Sequence, residues 1–323
     1  MAALGLPGPR LKLRDLLQRP TIAGLLGLGA APPAPAAPVG SPLVRLNGTG
    51  QEGTPLFCLH AGYGTVFDYQ PLARLLQEQR PVIGVMCRML ADPAHRDASL
   101  QQMAADHARA IRQEQPRGPY LLLGWSLGGT LAALVAARLE AEGQRVAYLG
   151  LIDPYVPAAG AREPLDWQRE VADFVAAMWP GAGAAPALPD GLPAHDADPA
   201  ALAGWLSRVA ASRGPRAQAV HPVFAAMSDA ELARHLVVGH RLRRLSLDSP
   251  ALPALEVPAC AWWAAQRPRD DARALALQLG QPEMARVRVD ATHDGMPSDA
   301  GLLQAVADTL AGQVGLRSGV EAV

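Results

Sequence analysis

The chain has 323 residues, 50% of them hydrophobic, with a formal net charge of −1 and 18% charged side chains. That length covers one large domain or two ordinary ones, and the apolar half supplies a sizeable core. There is no long basic stripe, no apolar run of ~18 residues and no charged, then apolar, leader, so the expectation is a soluble cytoplasmic protein with no nucleic-acid or membrane partner.

In chain order, residues 1–29 form a short unit in which Leu11, Leu13, Leu16 and Leu17 precede Pro20 and a helix-capping Thr21. It is too small to fold alone. Residues 31–38 are all proline or alanine and read as a semi-rigid linker within 30–40, which suggests a chain cut from something longer. The main domain is expected over 41–316, with a tail at 317–323. Apolar runs predict strands at 55–60, 81–87, 120–125 and 145–152. Helical periodicity predicts helices at 66–79, 100–115 and 127–142. Such alternation implies an α/β fold, a mostly parallel sheet with helices on both faces. From about 155 to 250 only helical stretches occur, at 164–178, 199–212 and 229–246. They read as a helical lid inserted over the sheet's C-terminal edge, where ligands bind in such folds. Strands at 257–264 and 286–290 and a helix at 301–311 close the domain.

The strongest motif is Gly124-Trp125-Ser126-Leu127-Gly128, followed by Gly129. It fits the G-x-S-x-G elbow of the α/β-hydrolase fold, in which a nucleophilic serine sits on a tight strand-to-helix turn. The turn is strained, so its flanks need side chains too small to clash. The helix behind it offers N–H groups and a partial positive charge to an oxyanion. Here the motif follows an apolar strand and opens an alanine-rich helix, the context it requires.

A serine hydroxyl needs a base. Among eight histidines, His293 alone lies beyond residue 240, directly after the strand 286–290, where the hydrolase order puts the base. His95, His107, His195, His221, His235 and His240 lie in helical or polar segments and read as solvated or locally bonded, with His235 and His240 in reach of substrate from the lid. For the orienting acid, Asp153 closes the strand 145–152 and is favoured. Asp270 and Asp271, in an Arg/Asp-rich stretch that reads as a solvated loop, and Asp290 and Asp294, close to His293, are the alternatives. The loop His60-Ala61-Gly62-Tyr63-Gly64 should supply the second oxyanion donor. The backbone N–H groups of Ala61 and Leu127 are assigned, with that of His60 as an alternative. Cys58, Cys87 and Cys260 are odd in number and far apart, so a disulfide framework is not expected, and Cys58 and Cys260 read as core residues. No metal ligand set is assigned.

The segments Phe57-Cys58-Leu59-His60-Ala61-Gly62-Tyr63-Gly64, 124–129, Leu151-Ile152-Asp153 and Thr292-His293-Asp294-Gly295-Met296 together resemble the releasing thioesterase domains of nonribosomal peptide synthetases, over about residues 55–313. The resemblance implies Asp153 as the acid and a mobile helical lid between acid and histidine. Residues 13–25 resemble the final helix region of a peptidyl carrier domain, without the serine that bears phosphopantetheine. The implied reaction is release of a peptide delivered on the phosphopantetheine arm of an upstream peptidyl carrier domain, through an ester on Ser126, with macrocyclisation expected ahead of hydrolysis. No cofactor bound by the chain itself is implied. The rival readings are a stand-alone editing thioesterase, a general serine esterase, and a docking module without activity.

Overall fold

The computed structural model of the chain describes residues 41–48, 53–92, 94–157, 165–179, 188–214, 224 and 227–312. The expected carrier remnant at 1–29, the linker at 30–40 and the tail at 317–323 lie outside the described residues, as does His221.

Seven strands form one sheet: β1 (Leu43–Arg45), β2 (Leu56–Leu59), β3 (Val82–Val85), β4 (Tyr120–Trp125), β5 (Val146–Ile152), β6 (Ala259–Ala264) and β7 (Ala285–Val289). Their spatial order is β1-β3-β2-β4-β5-β6-β7. All neighbours are parallel except β1, which pairs antiparallel with β3 through Leu43↔Val85. β2 and β3 are buried along their length, with Leu56, Phe57, Cys58 and Leu59 at 0% exposure, and β4 and β5 along most of theirs. Continuous apolar runs of this kind are what a sheet covered on both faces requires.

The helices are α1 (Gln70–Leu75), α2 (Arg88–Ala91), α3 (Leu100–Glu114), α4 (Leu127–Ala141), α5 (Trp167–Met178), α6 (Pro199–Arg213), α7 (Asp229–Leu247), α8 (Arg269–Gln278) and α9 (Ala300–Leu310). Their starts follow from the sequence. Ser99 accepts from the Gln102 N–H to cap α3, and Asp166 accepts from two N–H groups of α5. Ser228 and Glu231 form a reciprocal capping box on α7. α4 is buried along most of its length, because its alanines and glycines let it lie close against the sheet. No helix among the described residues is long and apolar enough to cross a membrane.

Several elements depart from the expectations. The helix expected at 66–79 is a 3-10 turn, Phe67–Tyr69, followed by the short α1, with Pro71 at its start. The Arg/Asp-rich stretch expected as a solvated loop is the first turn of α8, where Asp270 and Asp271 favour a helix N-terminus. Edge strand β1 and the four-residue α2 carry no periodicity and were not expected.

The insertion between β5 and β6 has a core of its own. Val171, Phe174, Val175 and Met178 from α5 pack with Leu202, Trp205, Leu206 and Val209 from α6 and with Leu232, Ala233, Leu236 and Val237 from α7. The insertion's tryptophan N–H groups find carbonyl partners: Trp167 on Pro193, Trp179 on Gly214 and Trp205 on Pro189. Two of those carbonyls belong to the segment before α6 and one to its end, so the aromatic residues tie the helices and their connections together.

Candidate active site

The site is built at the C-terminal ends of β4 and β5. Ser126 stands between β4 and α4 with φ 56° and ψ −125°, a conformation disfavoured for any residue with a side chain. Three glycines make this turn fit. A Cβ on Gly124 would collide with the backbone of Gly128 and Gly129, and one on Gly128 would collide with the Leu59 carbonyl at the end of β2. A Cβ on Gly129 would come within 2.6 Å of Pro154 Cβ. The glycines therefore let β2, β4, α4 and the segment after β5 converge on the serine. The Ser126 N–H donates to Ile152 O at 2.9 Å, which ties the elbow to the end of β5.

One residue past that carbonyl, Asp153 is fully buried, also with positive φ (39°). Its Oδ2 lies 2.5 Å from His293 Nδ1, and its Oδ1 accepts the Ala264 N–H at 3.2 Å. His293 Nε2 lies 3.0 Å from Ser126 Oγ. A carboxylate can only accept, so Nδ1 carries a hydrogen and Nε2 is the free base facing the hydroxyl. The His293 carbonyl takes the Trp125 indole N–H at 3.2 Å, and the two rings are 5.2 Å apart. The x residue of the motif thus helps hold the imidazole. The structure brings Ser126, His293 and Asp153 into one hydrogen-bonded line. The alternative acids stay off that line: Asp271 pairs with Arg267 at 3.2 Å, and Asp290 and Asp294 are exposed.

The loop after β2 lies beside this line. The His60 N–H is taken by the Val85 carbonyl at 3.1 Å, and Leu127 is the first residue of α4. The Ala61 carbonyl accepts the Gly64 N–H at 2.9 Å and lies 2.9 Å from His60 Nδ1, so the loop is held from two sides.

Two side chains were not picked out by sequence reasoning. The buried Tyr69 hydroxyl donates to Leu59 O at 2.7 Å and accepts the Trp125 N–H at 2.7 Å, clasping the ends of β2 and β4 on which the loop and elbow stand. Burial pushes its phenol well above the usual range, so it stays a donor. Arg267 donates from Nη2 to Pro154 O at 2.8 Å, and its Nε is 3.7 Å from Asp153 Oδ1. It holds the backbone next to the strained acid. A tyrosine in a helix and an arginine in a charged stretch carry no sequence signal for either contact.

Three of the histidines expected as solvated or locally bonded are buried. His107, His235 and His240 are 2%, 3% and 6% exposed. His240 pairs with Glu170 at 3.1 Å, and His235 Nδ1 lies 3.3 Å from Tyr63 O. Burial pushes the Cys87 and Cys260 thiols up to about 12 and raises Cys58 as well, so none is poised as a competing nucleophile.

The sequence model of the thioesterase domain family matches residues 54–256, more than half of the chain. The chain belongs to the thioesterase domain family. With its Ser-His-Asp line on an α/β-hydrolase sheet, this thioesterase is a serine hydrolase. It is 40% identical over 122 residues to enterobactin synthase component F of Escherichia coli (strain K12), covering 38% of this chain and 9% of that one. It is 34% identical over 151 residues to a dimodular nonribosomal peptide synthase of Bacillus subtilis (strain 168), covering 46% and 6%. The thioesterase therefore spans less than a tenth of the length of these two relatives. Among solved structures, the Vlm2 thioesterase domain bound with a dodecadepsipeptide superposes with a TM-score of 0.57 at 23% identity, covering 88% of this chain and 100% of that one.

Proposed function

We propose that this thioesterase domain releases a peptide from a nonribosomal peptide synthetase through an ester on Ser126. The observation that carries the reading is the Ser126–His293–Asp153 line, with 3.0 Å and 2.5 Å links. Ser126 Oγ attacks the thioester carbonyl while Nε2 of His293 takes its proton. The Ala61 and Leu127 N–H groups receive the oxyanion. Collapse expels the thiol, which takes the proton back from His293, and leaves a peptidyl ester. A second nucleophile then gives its proton to His293 as it attacks the ester carbonyl, and Ser126 Oγ takes that proton as the ester bond breaks. Buried Asp153 holds the imidazole tautomer and balances its transient charge.

The substrate in this reading is a peptidyl thioester on the phosphopantetheine arm of an upstream peptidyl carrier domain, and the chain itself binds no cofactor. The partial matches to two synthetases support that assignment. For the second step we propose attack by an amine or hydroxyl of the peptide itself, giving a macrocycle. Its support is the packing of α7 against Gly62 and Tyr63 of the loop after β2. Hydrolysis to a linear acid is the second reading, and the 38% exposure of the His293 side chain, which admits water to the base, favours it. Mass spectrometry of the product from a carrier-loaded peptide separates the two. A product 18 mass units lighter than the acid supports the macrocycle, and the acid alone overturns it.

A further inference from the structure

The oxyanion loop is anchored unevenly. Its base is held by the sheet side of the molecule, through His60 N–H on Val85 O and Cys87 N–H on Gly64 O at 3.0 Å. Its tip, Gly62 and Tyr63, meets the inserted helix α7 instead. His235 Nδ1 lies 3.3 Å from the Tyr63 carbonyl. That carbonyl can only accept, so Nδ1 is the donor. One turn on, Gly239 presents bare backbone: a Cβ there would stand 3.5 Å from the Tyr63 ring and 3.7 Å from Gly62 O. Phe224 completes the contact, edge-on to Tyr63 at 5.7 Å and to His235 at 5.6 Å. Tyr63 remains 50% exposed while its backbone is held.

We propose that His235 is a positioning residue for acyl transfer: by bonding the Tyr63 carbonyl it fixes the oxyanion loop, and so the Ala61 N–H, against Ser126. This rests on the proposed acyl-enzyme reading. The physical reason is the small tolerance of an oxyanion hole. A donor serves only when it lies within hydrogen-bond reach of the oxygen as it becomes charged. Ala61 is two residues from the held carbonyl; the Gly64 N–H and His60 Nδ1 on the Ala61 carbonyl hold the base of the loop, and the His235 bond adds a hold at its tip. The contact also makes donor placement depend on the seating of the insertion, which links its folding to the chemistry. Burial keeps His235 neutral, its pKa pushed down to about 4, so near neutral pH the bond is that of a neutral imidazole.

The test uses the whole chain, a small soluble peptidyl thioester, and a peptidyl trifluoromethyl ketone whose adduct carries the oxyanion. H235L should lower kcat about tenfold, the effect of one lost hydrogen bond on a loop equilibrium. KM should hardly change, and affinity for the ketone should fall by the same factor. H235N, which keeps an N–H near the Nδ1 position, should restore most of both. If H235L does not fold, G239L, which pushes on Tyr63 from the same helix, should give the same paired loss. Unchanged kcat and ketone affinity in a folded H235L, or a loss confined to KM, would overturn the proposal. Ser126→Ala is run beside it. Retained turnover in that variant would overturn the acyl-enzyme reading and the positioning role together, whereas an inactive Ser126→Ala with a normal H235L overturns the positioning role alone.

Discussion

Acidification should destabilise this domain before most of its carboxylates titrate, because the fold buries neutral histidines. Burial pushes both His60 and His235 from 6.5 down to about 4, and His107 well down too. His60 Nδ1 faces the Ala61 carbonyl and must carry the hydrogen, so protonation would add an N–H at Nε2, where no acceptor is present. The unfolded chain takes up these protons near pH 6.5 and the folded one only near 4. Stability is therefore full above 6.5 and is lost as the pH falls toward 4. Between pH 7.5 and 5, each histidine displaced by that amount removes about 2 kcal/mol, so His60 and His235 together remove about 4 kcal/mol. That is a large share of the roughly 5–15 kcal/mol typical of a domain. Asp97 acts in the opposite sense, since burial raises its carboxyl. The assay is denaturant unfolding at several pH values, followed by fluorescence of the six tryptophans. His60→Asn, which keeps a donor toward Ala61 O, should lessen the loss by about 2 kcal/mol. Equal losses in wild type and variant over this range would refute the reasoning.

Other expectations follow from the same contacts. Gly124→Ala should abolish activity and lower expression, because its Cβ falls on the Gly128 and Gly129 backbone; near-normal turnover would mean that the elbow is not packed as described. Asp153→Asn should cut kcat roughly 10⁴-fold with the fold retained, whereas a loss of that size in Asp271→Asn and not in Asp153→Asn would move the acid to α8. Trp205→Ala should destabilise the insertion by about 3–5 kcal/mol, read by proteolysis of α5 to α7. A change in the linear-to-cyclic ratio without loss of stability would instead place that ring at the substrate.

The central strands were legible in the sequence because each is a short, apolar run, and α3 because its apolar face is periodic. The elbow was legible because strained geometry demands glycine at fixed offsets, and His293 because it stands alone after the last strand. What stayed hidden depends on contacts between distant segments. Tyr69 joins Leu59 to Trp125, and Arg267 reaches Pro154, without any local pattern. The buried histidines looked polar because charge type alone does not reveal whether a helix face is covered. Phe174, Trp179 and Trp205 pack inside the insertion's own core, with Trp167 against it, and Phe224 reaches the oxyanion loop through Tyr63.

The most direct test of the central claim is the mass of the intact protein after brief exposure to a peptidyl thioester. Wild type should gain the acyl mass, digestion should map it to Ser126, and Ser126→Ala should gain nothing while its turnover falls roughly a millionfold. An adduct that persists in Ser126→Ala, for example on Cys58 or Cys260, would contradict the account.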